Sequence, residues 1–236
     1  MIKKFLAFTL GEILIALTVI GVVAVLVMPQ LLVGQKAAKA QAQFNTAYSL
    51  VAKALAEMDA DEVSTDPANY PTRTFYPEFK KYNKYTVDCG VNNDSPNSSV
   101  CPTTSDYKTL AGTDAAKNLL DDGALILNNG MMFAIENCKG CKFGTDHNIW
   151  VVVDINGKNQ RPNRLGYDLF AFQVLKDGDI LPLGAPGTDA KFSTNPSSYC
   201  NYKDKKAATG GTYGGYTCAF YAATDKDYFK TIHSGY

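Results

Sequence analysis

One carboxylate, Glu12, lies inside the most apolar stretch of this 236-residue sequence. No Lys, Arg or His that could neutralise it occurs between Phe8 and Gln35. A charged side chain at mid-bilayer depth costs about 2.5 to 3.5 kcal/mol on insertion scales, so a lone carboxylate there is avoided or given a partner. The placement of Glu12 therefore predicts a role that depends on a cation from elsewhere.

Six cysteines, all C-terminal to the apolar stretch, form a second set of reactive side chains. Their even number is typical of an exported, oxidised protein, although sequence cannot choose among the possible connectivities. Spacing favours pairs of neighbours: Cys89 with Cys101, Cys138 with Cys141, and Cys200 with Cys218.

Cys138 and Cys141 form a CxxC motif, which also occurs in thioredoxin-like redox sites. Here the motif follows an expected strand and opens no helix, which argues against redox chemistry. A zinc site would need two further ligands, and His147 and His233 are the only histidines. A structural disulfide is therefore the favoured interpretation.

Four side chains that carry hard oxygen atoms surround a glycine-containing segment between two expected strands. They are Asp154, Asn156, Asn163 and Asp168. Ca²⁺ prefers such ligands, although the spacing is not that of an EF-hand. The alternative, which we favour, is a turn in which Asp and Asn side chains bond their own backbone.

Composition and motifs argue against several functional classes. The 23 basic residues balance 23 acidic ones, so no overall field draws the chain toward nucleic acid. The sequence contains no P-loop, GxSxG, HExxH or dinucleotide fingerprint. We therefore expect a non-enzymatic protein that requires no cofactor, with Ca²⁺ as the one candidate ion.

The apolar stretch from Phe8 to Met28 predicts a membrane-spanning helix. Its 21 positions, 8 to 28, would cover the ~30 Å hydrocarbon core at ~1.5 Å per residue. A secretory signal is the alternative, but no small-residue cleavage site follows the stretch. Because Lys3 and Lys4 precede it, the positive-inside rule predicts a cytoplasmic N-terminus and an exported head.

The segment AFTLGEILIALTVIGVVAVLVMP resembles the cleavage and methylation motif of type IV pilins and type II secretion pseudopilins. In that family a prepilin peptidase cuts before the Phe and methylates its new amine, which implies cleavage between Ala7 and Phe8. Two residues depart from the usual pattern: Ala7 replaces Gly, and Gly11 replaces a bulky apolar residue. Gly11 lowers helix propensity by up to about 1 kcal/mol.

The resemblance also implies partners and a role for Glu12. In the family's assembly scheme, the amine of an incoming subunit neutralises the Glu of a neighbour. Implied partners are other pilin or pseudopilin subunits, the prepilin peptidase, and an inner-membrane assembly platform with its ATPase. The segment from Asp154 to Asp168 is also similar to a DxNGxxxPNxxGxDxFxF segment of some pilin-like proteins, and major pseudopilins bind calcium in a head loop.

The expected organisation is a leader at 1–7, an N-terminal helix at 8–58 and a globular head at 59–236. Residues 8–28 would lie in the membrane or the core of a filament, and 30–58 would pack on the head. An apolar stripe at helical spacing supports this docking: Phe44, Tyr48, Val51, Leu55 and Met58. Pro29 and Gly34 predict a kink or a locally melted stretch.

The head is predicted to be an antiparallel sheet. With the long N-terminal helix packed on it, this gives an α+β, pilin-like fold that is cross-linked by disulfides. Residues 59 to 120 are proline-rich and polar, which is typical of a surface excursion. Two hairpin turns are expected, at Asn128 to Gly130 and at Asp177 with Gly178.

Two functions from different classes remain open at this level. One is a structural subunit that waits in a bacterial inner membrane and polymerises into a type IV pilus or a periplasmic secretion pseudopilus. The other is a membrane-tethered, exported ligand-binding or adhesion domain that does not polymerise. Glu12 separates them, because a simple tether has no use for a carboxylate in lipid.

Overall fold

One long helix, α1, runs from Leu10 to Ala60 and contributes both an exposed apolar half and a buried half. The computed structural model describes residues 9–91, 99–116, 119–139, 147–205 and 210–234. The 51 residues of α1 reach about 76 Å at ~1.5 Å per residue. The helix begins within two residues of the predicted start and ends two residues beyond the predicted end.

The apolar stripe on the second half of α1 packs on the head, as predicted. Phe44 is buried against two sheet residues, with ring centroids 4.9 Å from Phe170 and 5.5 Å from Phe172. Tyr48 is half-buried and donates a hydrogen bond of 3.0 Å to the carbonyl of Ile180. The rest of the stripe is buried too, together with intervening alanines that let the backbone approach the sheet: Ala37, Ala40, Ala47, Val51, Ala54, Leu55 and Met58.

Six antiparallel strands form one sheet in which every strand pairs with its neighbours in chain order. They are β1 (Tyr85–Gly90), β2 (Ala124–Leu127), β3 (Met132–Lys139), β4 (His147–Asp154), β5 (Leu169–Val174) and β6 (Ile180–Pro182). Both predicted hairpin turns are confirmed. Gly130 and Gly178 adopt φ values of 85° and 84°, which a side chain would disfavour.

Both faces of this sheet are buried, and each has its own apolar cluster. In β4, Val151 and Val153 belong to the cluster that contains α1, whereas Trp150 and Val152 belong to the cluster on the opposite face. The opposite face is covered by loops that contribute side chains such as Phe192. The sequence predicted the helix layer but not this second covering layer.

Short helices complete the head. The α-helices are α2 (Phe75–Phe79), α3 (Ala190–Ser193), α4 (Cys218–Thr224) and α5 (Tyr228–His233). Single 3₁₀ turns occur at Pro67–Asn69, Lys80–Tyr82, Thr104–Asp106, Pro196–Ser198 and Gly211–Tyr213. α5 packs beside α1, and the ring of Phe229 lies 5.8 Å from that of Phe44.

The interpretation of residues 59 to 120 as a surface excursion is wrong for the described part of that segment. It supplies the edge strand β1 and the core helix α2, in which Phe75 and Phe79 stack with centroids 5.5 Å apart. Both rings are fully buried. Their spacing of four residues places them on one side of a helical turn, a signal that the prolines and polar residues around them concealed.

Two of the three expected disulfides are present. Cys89 is bonded to Cys101 and Cys200 to Cys218, and all four residues are buried. Cys141 lies outside the described residues, so its pairing with Cys138 stays a prediction.

Removing the Cys200–Cys218 disulfide is expected to lower the free energy of unfolding by about 3 kcal/mol, because an 18-residue cross-link restricts the unfolded chain. The measurement is denaturant unfolding of the full chain in detergent, comparing wild type with Cys200→Ser/Cys218→Ser. Cys89→Ser/Cys101→Ser, which opens a shorter loop of 12 residues, is the matched comparison. Free thiols at positions 200 and 218 of the exported protein would contradict the prediction.

Candidate functional site

The first turn of α1 holds Glu12 in a reciprocal capping arrangement. The Glu12 carboxylate accepts hydrogen bonds of 2.8 Å from the Thr9 amide and 2.8 Å from the Thr9 hydroxyl. In return the Thr9 hydroxyl oxygen accepts a hydrogen bond from the Glu12 amide at 3.3 Å. This capping box satisfies two backbone donors that a helix N-terminus otherwise leaves unpaired. Ala7 and Phe8 lie outside the described residues.

The sequence analysis missed this local role, although the signal was present. Thr9, Leu10, Gly11 and Glu12 match the Ser/Thr-x-x-Glu pattern of a capping box. The partners of Glu12 are nevertheless uncharged, and the described part of the chain shows no ion pair that includes it. Capping therefore explains a polar side chain at position 12 but does not require a charged one.

The first half of α1 carries a continuous apolar surface that the head does not cover. Fifteen large apolar side chains between Leu10 and Leu32 are from 45% to 76% exposed, and apart from them only Tyr85 belongs to this class among the described residues. By length and composition this helix could cross a membrane. Burial of so much apolar surface requires lipid or other protein.

Pro29 lies inside α1 without interrupting it. The helix also continues through Gly34, so the predicted melted stretch is absent from this structure. Proline has no amide hydrogen to donate, so α1 lacks one hydrogen bond between successive turns at this position. Pro29 also lines a groove between α1 and the head, and the kink expected at this residue stays a prediction.

The four oxygen-bearing residues of the predicted calcium loop come together, but their carboxylates bond the chain itself. Asp154 accepts hydrogen bonds from the amides of Asn156 and Gly157, at 3.1 and 2.8 Å, and from the Tyr107 hydroxyl at 2.7 Å. Asp168 accepts hydrogen bonds from the backbone amides of Asn163 and Arg164, at 2.7 and 2.6 Å. This is the turn interpretation, in which side chains organise their own backbone.

Burial gives these two carboxylates unusual acidities. Loss of water raises the pKa of Asp154, and hydrogen bonds to its carboxylate oppose this. Burial, with the nearby charge of Asp154 as the next cause, raises the pKa of Asp168 to about 7. A pair of buried carboxylates without a cation is costly, and a bound ion would relieve that cost.

The two asparagines of the loop have amide oxygens that a cation could use. Oδ1 of Asn156 and Oδ1 of Asn163 are buried without a hydrogen-bond partner among the described residues. Across residues 9–91, 99–116, 119–139, 147–205 and 210–234, no cluster of three or more His, Cys, Asp or Glu could hold a metal ion. The donor set is thus two carboxylates plus neutral oxygens, which fits Ca²⁺ better than a transition metal.

Comparison with protein-family models, with curated proteins and with solved structures found no match to this chain.

If Ca²⁺ binds the folded loop, it is expected to raise the melting temperature of the full chain in detergent more than magnesium does, since neutral and carboxylate oxygens in a flexible loop suit Ca²⁺ better than Mg²⁺. The stabilisation would be about 2.7 kcal/mol at 100 times Kd. Protons compete with the ion for Asp168, so the calcium effect should be larger at pH 8 than at pH 6. Equal shifts with both ions, or no loss of the calcium effect in Asp168→Asn, would show that the loop is only a turn.

Proposed function

We propose that this chain is a prepilin-type structural subunit that waits in the inner membrane of a bacterium. From there it polymerises through α1 into a type IV pilus or a type II secretion pseudopilus. The observation that carries the proposal is Glu12, an ionisable side chain at the tip of an exposed apolar half-helix with no charged partner in the described residues.

The apolar half of α1 supports a subunit with two successive environments. Lipid would cover its exposed side chains before assembly, and the same half-helices of other subunits would cover them in a filament. Since one surface must suit both, it carries apolar side chains on all sides instead of the single stripe of a core helix. Energy for leaving the membrane would come from the partner ATPase, since the sequence contains no nucleotide-binding motif.

Glu12 would select the position of the next subunit. Cleavage after Ala7 would create a cation at Phe8, and opposite charges in a low-dielectric environment attract strongly. Removing one partner would leave the other uncompensated. The capping box adds that the carboxylate is already held at the helix tip by Thr9 before any partner arrives.

A tethered ligand-binding domain is the alternative, and it makes a different demand on position 12. It would need the capping box but not the charge, since a glutamine also serves in a capping box. A pair of substitutions at position 12 therefore separates a role of the charge from a role of the cap, and filament formation by the wild-type chain separates the two functions.

Processing is the first expected outcome. Mass spectrometry of membrane-derived protein should find a chain that begins at methylated Phe8, because the basic leader and the Phe8 register resemble a prepilin peptidase site. An intact Met1 in that preparation would refute the proposed function.

The second expected outcome concerns the charge at Glu12. Glu12→Gln should cap the helix and insert into the membrane like wild type, yet enter filaments poorly because its charge is gone. Glu12→Ala should lose the bonds from the carboxylate to Thr9, while the Thr9 hydroxyl still accepts from the backbone amide of residue 12, and it should also lose filament entry. The measurement is filament yield at equal membrane abundance. Normal filament yield from Glu12→Gln would show that position 12 serves only the cap, whereas a wild-type chain that forms no filaments would favour the tethered domain.

A further inference from the structure

A groove of about 600 Å³ separates α1 from the loop that follows β4. Along the helix, its wall changes character within three turns. Met28, Pro29 and Leu32 form an apolar lower part, and Lys36 and Lys39 follow above them. Across the groove, Arg161 adds a third cation.

The groove lies where α1 would leave a bilayer. Met28 is 18 residues beyond Leu10, or about 27 Å along the helix axis, and Lys36 is 26 residues beyond it, or about 39 Å. A hydrocarbon core is ~30 Å thick. The apolar wall therefore lies at the edge of the hydrocarbon, and the cations lie at the depth of the headgroups, where long basic side chains are favourable.

In the part of the chain that the structure describes, the three cations are exposed and form no ion pair. Within the described ranges, Lys36, Lys39 and Arg161 take part in no ion pair with a carboxylate. Asp168 also lines the groove, but its carboxylate accepts two backbone hydrogen bonds. The net charge of the upper groove is therefore positive.

His233 adds a neutral polar group to the same wall. Its Nε2 is buried without a hydrogen-bond partner among the described residues. Burial, with the charges of Lys205 and Lys36, lowers the pKa of His233 to about 4, so the ring is neutral at pH 7. A neutral imidazole can donate one hydrogen bond to an anionic oxygen.

We propose that this groove binds the phosphate headgroup of an anionic phospholipid from the outer leaflet of the inner membrane. Lys36, Lys39 and Arg161 contact the phosphate, and the first acyl carbons lie on Met28, Pro29 and Leu32. This inference rests on the membrane-resident state of the proposed function. It adds a lipid ligand that holds the head against the bilayer before assembly.

The order of the groove wall favours a lipid over a soluble anion. Inorganic phosphate would contact only the cations. A phospholipid presents a phosphate above its acyl chains, which matches a groove wall that has cations above apolar side chains. Each basic residue near an anionic surface strengthens binding about fivefold, so loss of three should weaken binding by roughly 100-fold.

The test titrates dioctanoyl phosphatidylglycerol into the full chain in a non-ionic detergent and counts bound lipids by native mass spectrometry. One lipid per chain is expected, with dioctanoyl phosphatidylcholine and inorganic phosphate binding at least about tenfold more weakly. Lys36→Gln/Lys39→Gln/Arg161→Gln should lose this preference. The matched control, Lys84→Gln/Lys176→Gln/Lys226→Gln, removes three exposed cations outside the groove and should keep it.

Several outcomes would overturn the proposal. Equal binding of the two lipids would show an apolar cleft without headgroup recognition, and equal binding of inorganic phosphate would show a soluble-anion site. An equal loss of phosphatidylglycerol binding in both triple variants would show that the lipid responds only to the general surface charge. A wild-type dimer that the groove variant breaks would show that a second copy occupies the groove. Thermal unfolding of both variants confirms that each is folded.

Failure of the lipid site and failure of the proposed function give different results. If phosphatidylglycerol binds selectively while the wild-type chain keeps Met1 and forms no filaments, the groove inference stands and the filament function fails. If both lipids bind alike while Glu12→Gln does not assemble, the filament function stands and the groove inference fails.

Discussion

The contact between the second half of α1 and the sheet is the constraint on which the other parts of this molecule depend. Phe44 packs simultaneously on β5 and α5, and the buried alanines of the stripe allow the helix to lie close to the strands. This contact fixes the direction in which the first half of α1 leaves the head. It also creates the groove, because the loop after β4 faces the helix just where the buried stripe begins.

The sequence predicted the elements whose signals are local and periodic. The stripe from Phe44 to Met58 has helical spacing, and the turns at Gly130 and Gly178 have residues that tolerate positive φ. The neighbouring cysteines at 200 and 218 were paired correctly for a similar reason, since a short separation keeps the number of plausible partners small. The α+β class follows from these elements together.

Other features escaped because they depend on contacts between distant parts of the chain or on competing signals. Phe75 and Phe79 lie among prolines and polar residues, and only the folded sheet shows that they belong to its core. The covering of Trp150 by Phe192 joins positions 42 residues apart. At Asp154 the carboxylate bonds Tyr107, a partner that no motif around the loop contains. The capping role of Glu12 has a local signal, the Thr-x-x-Glu pattern of residues 9 to 12, and was therefore predictable from the sequence.

The continuity of α1 has a mechanical consequence. Because no break separates the apolar half from the buried half, tension applied near Leu10 passes along the helix axis directly into the head. The buried stripe lies parallel to that axis, so the load acts in shear on Phe44, Val51 and Met58 together instead of peeling one contact at a time. The disulfides Cys89–Cys101 and Cys200–Cys218 lie outside α1, so neither of them cross-links α1 to the head. Resistance to pulling therefore depends on side-chain packing between α1 and the sheet. The disulfides limit how far the rest of the head can extend once that packing is lost.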